Sequence, residues 1–148
     1  RATTQRFASL NELLTQTPAT LQERWFPRCY LLMPLMLVTL AVFWITSGLV
    51  GLFEFDAALS VVRDRLPDYL ATTLVVGGSL LDITLGVMVT VRRFARVACA
   101  GMVLTTLAYL VAGSWLTPEL WLHPLGVFVK SIPSAVLALV ASALIQER

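Results

Sequence analysis

This sequence predicts an all-α integral membrane protein, a bundle of four spanning helices, on three observations. Apolar residues make up 57% of the chain and charged residues only 14%, with a mean hydropathy of +0.79, a composition too apolar for an ordinary soluble domain. Four segments, about 31–53, 70–91, 97–116 and 126–145, are each long enough for a hydrocarbon core of about 30 Å. Within them small residues recur at helical spacing, the pattern that lets neighbouring helices approach closely in lipid. The whole of 1–148 reads as a single transmembrane domain with no internal repeat, low-complexity run or second domain.

Residues 1–26 form a polar, amphipathic lead-in. Ser9 and Glu12 have capping-box spacing, and Thr17 before Pro18 is an N-cap and first-turn pair. Leu10, Leu13 and Leu14 make one apolar edge and Leu21 and Trp25 the next, which predicts a segment lying along the membrane surface or linking to something upstream. The first span follows, with Pro34 expected in its opening turn, where a missing N–H does least harm. Trp44, Ser47, Gly48 and Gly51 give its far end a small-residue face. Between spans one and two, Phe55, Leu59, Val62 and Leu66 recur at helical spacing in a charged background, which predicts an interfacial helix or loop ended by Pro67.

The second span carries the sharpest functional pointer, Asp82, in the run LATTLVVGGSLLDITLGVMVTV. An ionisable group at that depth costs a few kcal/mol on insertion scales, so it faces a bundle interior or a wet cavity and has a partner. Gly78, Asp82 and Gly86 are four apart with Ser79 beside them, a small and polar stripe. Asp82 reads either as structural polar glue or as part of a site. Arg92, Arg93 and Arg96 fill the connection to the third span, where Ala98, Gly101, Thr105, Ala108 and Ala112 form a further stripe. In the last span Lys130, Ser134, Ala138 and Ser142 are four apart, placing the lysine on the inward face. Lys130 then either pairs with Asp82, which needs tilt or an early start of the last helix, or snorkels outward, or pairs with Glu54 or Asp56.

Arginine placement predicts orientation. With four spans, both termini and the middle loop share one side, and these carry Arg1, Arg6, Arg24, Arg28, Arg92, Arg93, Arg96 and Arg148; the other side has only Arg63, Arg65 and Lys130. The positive-inside rule makes that first side cytoplasmic. Cys29 and Cys99 then lie in a reducing compartment without a C-x-x-C spacing and read as inert thiols. His123, the lone histidine, is flanked by Trp115 and Trp121 as in an aromatic interfacial belt, and with no further ligands in sight no metal site is expected. No dinucleotide fingerprint, P-loop, zincin helix or nucleophile elbow occurs, so no catalytic motif is visible. The basic loop is topogenic, and no nucleic-acid partner is expected.

The runs LQERWFPRCYLLMPLMLVTLAVFWITSGLVGLF, SLLDITLGVMVTVRR and LHPLGVFVKSIP, in that order, resemble the DoxX-like membrane family, especially the version that follows a short-chain-dehydrogenase-type NAD(P)-binding domain in bacterial proteins. Trp44, Ser47, Gly48, Asp82, Gly86, Pro124, Lys130 and Pro133 match the recurrent features. The resemblance implies a four-helix bundle in the bacterial inner membrane and an upstream cytoplasmic domain, in keeping with a chain that opens on Arg1. Two functions are expected on these grounds: an anchor for a nucleotide-binding oxidoreductase domain, or a pocket for a quinone, isoprenoid or other lipid. In the second, Asp82 is hydrogen-bond partner or proton acceptor, Lys130 a counter-charge and Trp44 an apolar wall, with Ser47, Ser79 and Ser134 completing the polar core. A proton-coupled small-solute carrier is a weaker third, because it ordinarily needs more than one deep ionisable group.

Overall fold

A computed structural model describes residues 21–122 and 127–146, with side chains over 32–122 and 128–145. Five α-helices are present among the described residues: α1 (Leu21–Phe53), α2 (Phe55–Arg63), α3 (Asp68–Met88), α4 (Ala95–Leu116) and α5 (Val127–Gln146), with a 3₁₀ turn, Pro118–Trp121, before α5. Four of them, α1 (over Leu32–Phe53), α3, α4 and α5, are long and apolar enough to cross a membrane. They run up, down, up and down, and each packs against two neighbours in the ring α1, α3, α4, α5. One end carries the Arg92–Arg96 stretch; the other, here the distal end, carries α2 and the 3₁₀ turn.

The first span differs from expectation at its start. Helix α1 is continuous for 33 residues, about 50 Å at 1.5 Å per residue, and so outruns the hydrocarbon. Pro34 therefore lies in the helix interior, and Leu21 and Trp25 belong to an extension of the span, not to a separate surface helix. A break there would free up to four carbonyls and four N–H groups beside the bilayer, at several kcal/mol for each group left unsatisfied in hydrocarbon, against about 3 kcal/mol for an interior proline. Residues 1–20, with the Ser9 and Thr17 caps, lie outside the described residues, as does His123. Two further boundaries move. Pro67 opens α3 as its N-cap residue and does not close α2, which ends at Arg63. At the other end α3 stops at Met88, where i to i−3 hydrogen bonds from Thr90 to Val87 and from Val91 to Met88 tighten the chain into a turn.

Large apolar side chains point outward: Leu35, Val38, Val42, Leu104, Leu107, Val111 and Leu139 are all exposed. In water such a surface would aggregate; in lipid it is solvated. The buried set is small-residue rich, with Ala41, Ala98, Cys99, Ala138 and Ala141 around Leu40, Trp44, Met102 and Val89. Helix α2 lays its half-buried Phe55, Ala58, Leu59 and Val62 against the bundle. Its corner with α3 is closed by Arg63 Nε donating to Asp68 Oδ1 at 3.0 Å. Arg65 reaches Glu119 in the 3₁₀ turn at 2.9 Å.

Helices α1 and α3 are the most intimate pair, and two glycines set their separation. A methyl group on Gly48 would overlap the Ser79 carbonyl oxygen, and one on Gly86 would stand 2.7 Å from Ile45 Cγ1 and 2.9 Å from Ile45 N. Each faces backbone, which cannot move aside as a flexible side chain can. Gly86→Ala is therefore expected to destabilise the bundle by about 1–3 kcal/mol, the range for overpacking, in denaturant unfolding in detergent. Gly77→Ala, where an added methyl meets nothing within 4 Å, is the control and is expected to lose nothing.

Candidate functional site

Asp82 lies fourteen residues into α3 by its number, about 21 Å from the distal start of that helix and about 9 Å from its other end. Only 6% of it is exposed. The α1–α3 contact places Ser47 against it, and Ser47 Oγ donates to Asp82 Oδ2 at 3.1 Å. From α4, the Tyr109 hydroxyl donates to Asp82 Oδ1 at 3.0 Å. One buried carboxyl thus joins three spanning helices through the hydroxyls of two exposed residues, each of which needs a partner at membrane depth.

Two spaces meet at this cluster. On one side a small cavity of about 50 Å³ is lined by Trp44, Ser47, Asp82, Thr106, Tyr109 and Ser134, among others. That volume suits a few water-sized groups and excludes a ring. Thr106 and Ser134 turn their hydroxyls to their own helices, to Met102 O and Ser131 O, both at 2.8 Å. Trp44 is 3% exposed, and its Nε1–H has no hydrogen-bond partner among the described residues. On the other side an open groove of about 220 Å³ runs between α1, α2, α3 and α4, walled by Gly51, Ala58, Leu74, Val75 and Gly78 and ending on Ser47, Asp82 and Tyr109. The three hydrogen-bonded residues are therefore the partition between groove and cavity.

Of the residues singled out in the sequence, the structure brings Trp44, Ser47, Asp82 and Ser134 around the small cavity. Ser79 is buried and lines the groove but makes no hydrogen bond to Asp82 among the described residues. Lys130 is exposed at the start of α5, and among the described residues it forms no ion pair with Asp82, Glu54 or Asp56. Its neighbour Ser131, not Lys130, faces the cavity. In α4 the inward stripe is Ala98, Cys99, Met102, Thr105 and Thr106, whereas Ala108 and Ala112 are exposed. The spacing argument missed Phe43, Thr106 and Ser131 on the cavity wall and Tyr109, whose hydroxyl reaches Asp82 although the residue is 37% exposed. Its signal was chemical: a phenol mid-span needs a hydrogen-bond partner. No group of three or more metal-type ligands occurs among the described residues.

The sequence profile of the DoxX-like family matches residues 41–139, a stretch that contains Trp44, Ser47, Asp82, Tyr109 and Ser134. No curated protein and no solved structure matches the chain.

Interhelical hydrogen bonds in membranes are worth about 0.6 kcal/mol on average and up to about 1.7 kcal/mol. Tyr109→Phe and Ser47→Ala are each expected to lose an amount in that range on unfolding. In an Asp82→Leu background the loss from Tyr109→Phe is expected to vanish; an undiminished loss there would mean that the hydroxyl contributes through some other group.

Proposed function

We propose, since this chain belongs to the DoxX-like family, that its multi-pass bundle is a lipid-facing binding module. It takes the head group of an isoprenoid quinone, or a lipid with the same carbonyl and hydroxyl chemistry, at the Ser47–Asp82–Tyr109 cluster. The observation that carries this reading is the groove of about 220 Å³ that ends on those three residues. Its volume is below the ~300–1,000 Å³ of drug-sized pockets, which suits a single ring whose tail stays in lipid. Apart from the Ser79 hydroxyl the walls are apolar, and the hydroxyls at the end can turn from the carboxyl to a ligand oxygen. A ring carbonyl would accept from Tyr109 or Ser47, and a ring hydroxyl would donate to Asp82. Trp44 Nε1, buried beyond the partition, offers one further donor to a substituent or water reaching the inner cavity.

Lys130 has no part in this binding, being exposed and one residue off the cavity wall. We place the arginine-rich end in the cytoplasm of a bacterial inner-membrane protein by the positive-inside rule. Ser47 is then about 22 Å of helix from the start of the span at Leu32. A nucleotide bound by a cytoplasmic domain could not pass a hydride over that distance, since reacting atoms must come within about 3–3.5 Å. The site therefore binds; redox chemistry of an upstream NAD(P)-binding domain would occur elsewhere.

A second reading, an anchor for such a domain, is favoured by the continuity of α1 beyond the membrane. Residues 21–31 extend the span as unbroken helix by about 16 Å, a stiff connection that would fix the orientation of whatever precedes it.

Native mass spectrometry of protein extracted gently from its own membrane tests the choice. Wild type is expected to retain a quinone or isoprenoid, and Asp82→Leu to lose it while remaining folded by circular dichroism. If neither retains such a lipid, and a short-chain benzoquinone fails to quench wild-type tryptophan fluorescence, the binding reading is wrong and the anchor stands.

A further inference from the structure

A second cavity, larger than both spaces at Asp82, lies at the arginine-rich end of the bundle. It has a volume of about 550 Å³, and its walls come from three spanning helices and the α3–α4 connection: Met33, Pro34 and Leu37 of α1, then Val89, Thr90 and Arg92 of the connection, then Ala95 of α4 and Ile145 of α5. It exists because α3 is short. In the antiparallel α1–α3 pair Gly86 already sits against Ala41 and Ile45, so Met33 and Leu37 lie one to two turns beyond the last helical residue of α3, Met88. The chain turns away there toward α4, and buried Met33 and half-buried Leu37 border the space beside it.

We infer that this cavity is a binding site for an anionic phospholipid, which places an acyl chain among the apolar walls and its phosphate against Arg92. The volume falls in the range of ligand pockets, ~300–1,000 Å³, and the lining is apolar apart from Thr90 and Arg92. The charge is complementary to a phosphate. Arg92, Arg93 and Arg96 are all exposed with no Asp or Glu between Leu85 and Gly101, and neither ion pair among the described residues involves them. Their roles divide by geometry. Arg93 holds its guanidinium over the Phe94 ring at 5.9 Å, while Arg92 lines the cavity. Helix α4 begins at Ala95 on the cavity wall with no side-chain cap, adding the positive end of its dipole to the same spot. Basic pockets between spanning helices on the cytoplasmic side have this chemistry for acidic head groups. The Asp82 reading is independent of it, because the two sites share no residue.

The test is lipid retention by the full chain in detergent, with phosphatidylglycerol, phosphatidylcholine and soluble glycerol phosphate offered separately and bound mass read by native mass spectrometry. Wild type is expected to retain phosphatidylglycerol over phosphatidylcholine and to ignore glycerol phosphate. Arg92→Gln is expected to weaken phosphatidylglycerol retention about fivefold, the worth of one basic residue near an anionic membrane surface, and Arg93→Gln by clearly less. A phosphatidylglycerol bearing a photoreactive acyl chain is expected to label peptides containing Met33 and Val89. Equal losses from Arg92→Gln and Arg93→Gln would reduce the effect to general surface charge and overturn the site. Absence of label at both peptides in wild type would overturn it too, and would mean that another part of this chain or a second copy covers the cavity.

Discussion

Everything in this bundle depends on the close approach of α1 and α3. Helices in lipid gain nothing from hiding apolar side chains from one another, since the tails are as apolar as leucine. Association must come from packing and from polar groups that have no other partner. Gly48 and Gly86 bring the α1 and α3 backbones so close that a methyl on either would meet main-chain atoms. Only at that separation does Ser47 come within hydrogen-bond distance of Asp82. The remaining pair, α4 and α5, packs through Ala98, Cys99, Met102, Ala138 and Ala141 and delivers Tyr109 to the other carboxyl oxygen.

The same approach explains why the two ends of the bundle differ. Toward the distal end, α2 and the 3₁₀ turn close over the helices, and the Arg65–Glu119 pair joins them. That exposed pair contributes at most about 1 kcal/mol, so the closure rests on the half-buried face of α2 and on the contact of Trp121 with Phe128 at 5.3 Å. At the other end α3 finishes early and nothing among the described residues replaces it, which opens the cavity beside Arg92. A buried carboxyl with a narrow groove and an apolar cavity edged by an arginine are thus two consequences of how one helix pair is offset along its length.

The number of spans and their approximate limits were legible from composition and run length alone, because about 30 Å of hydrocarbon imposes a length on any helix that crosses it. Asp82 was legible for a related reason: a carboxyl in a run of twenty apolar residues must be turned inward and given partners. Its stripe with Gly78, Ser79 and Gly86 faces inward in the structure. The inward rotation of α4 was not legible, nor was the exposure of Lys130. A spanning helix that is apolar on every side carries almost no contrast between its faces. Periodicity arguments then lean on small residues alone, and those occur on the lipid side as well, as Ala108 and Ala112 do.

By itself, then, the sequence determined that this protein is a multi-pass helical membrane protein with one deep carboxyl and a strongly basic connection after the second span. Hydrocarbon thickness and the cost of burying charge leave no other solution for such a chain. Tertiary structure alone decided which hydroxyls reach Asp82, that Trp44 is buried with an N–H that has no partner among the described residues, and that a groove and, among the described residues, no salt bridge adjoins the carboxyl. It also decided that α3 ends short of α1. These outcomes depend on the rotation and axial offset of one helix against another, and in lipid those are set by which backbones can touch, a property of pairs of helices that no single segment encodes.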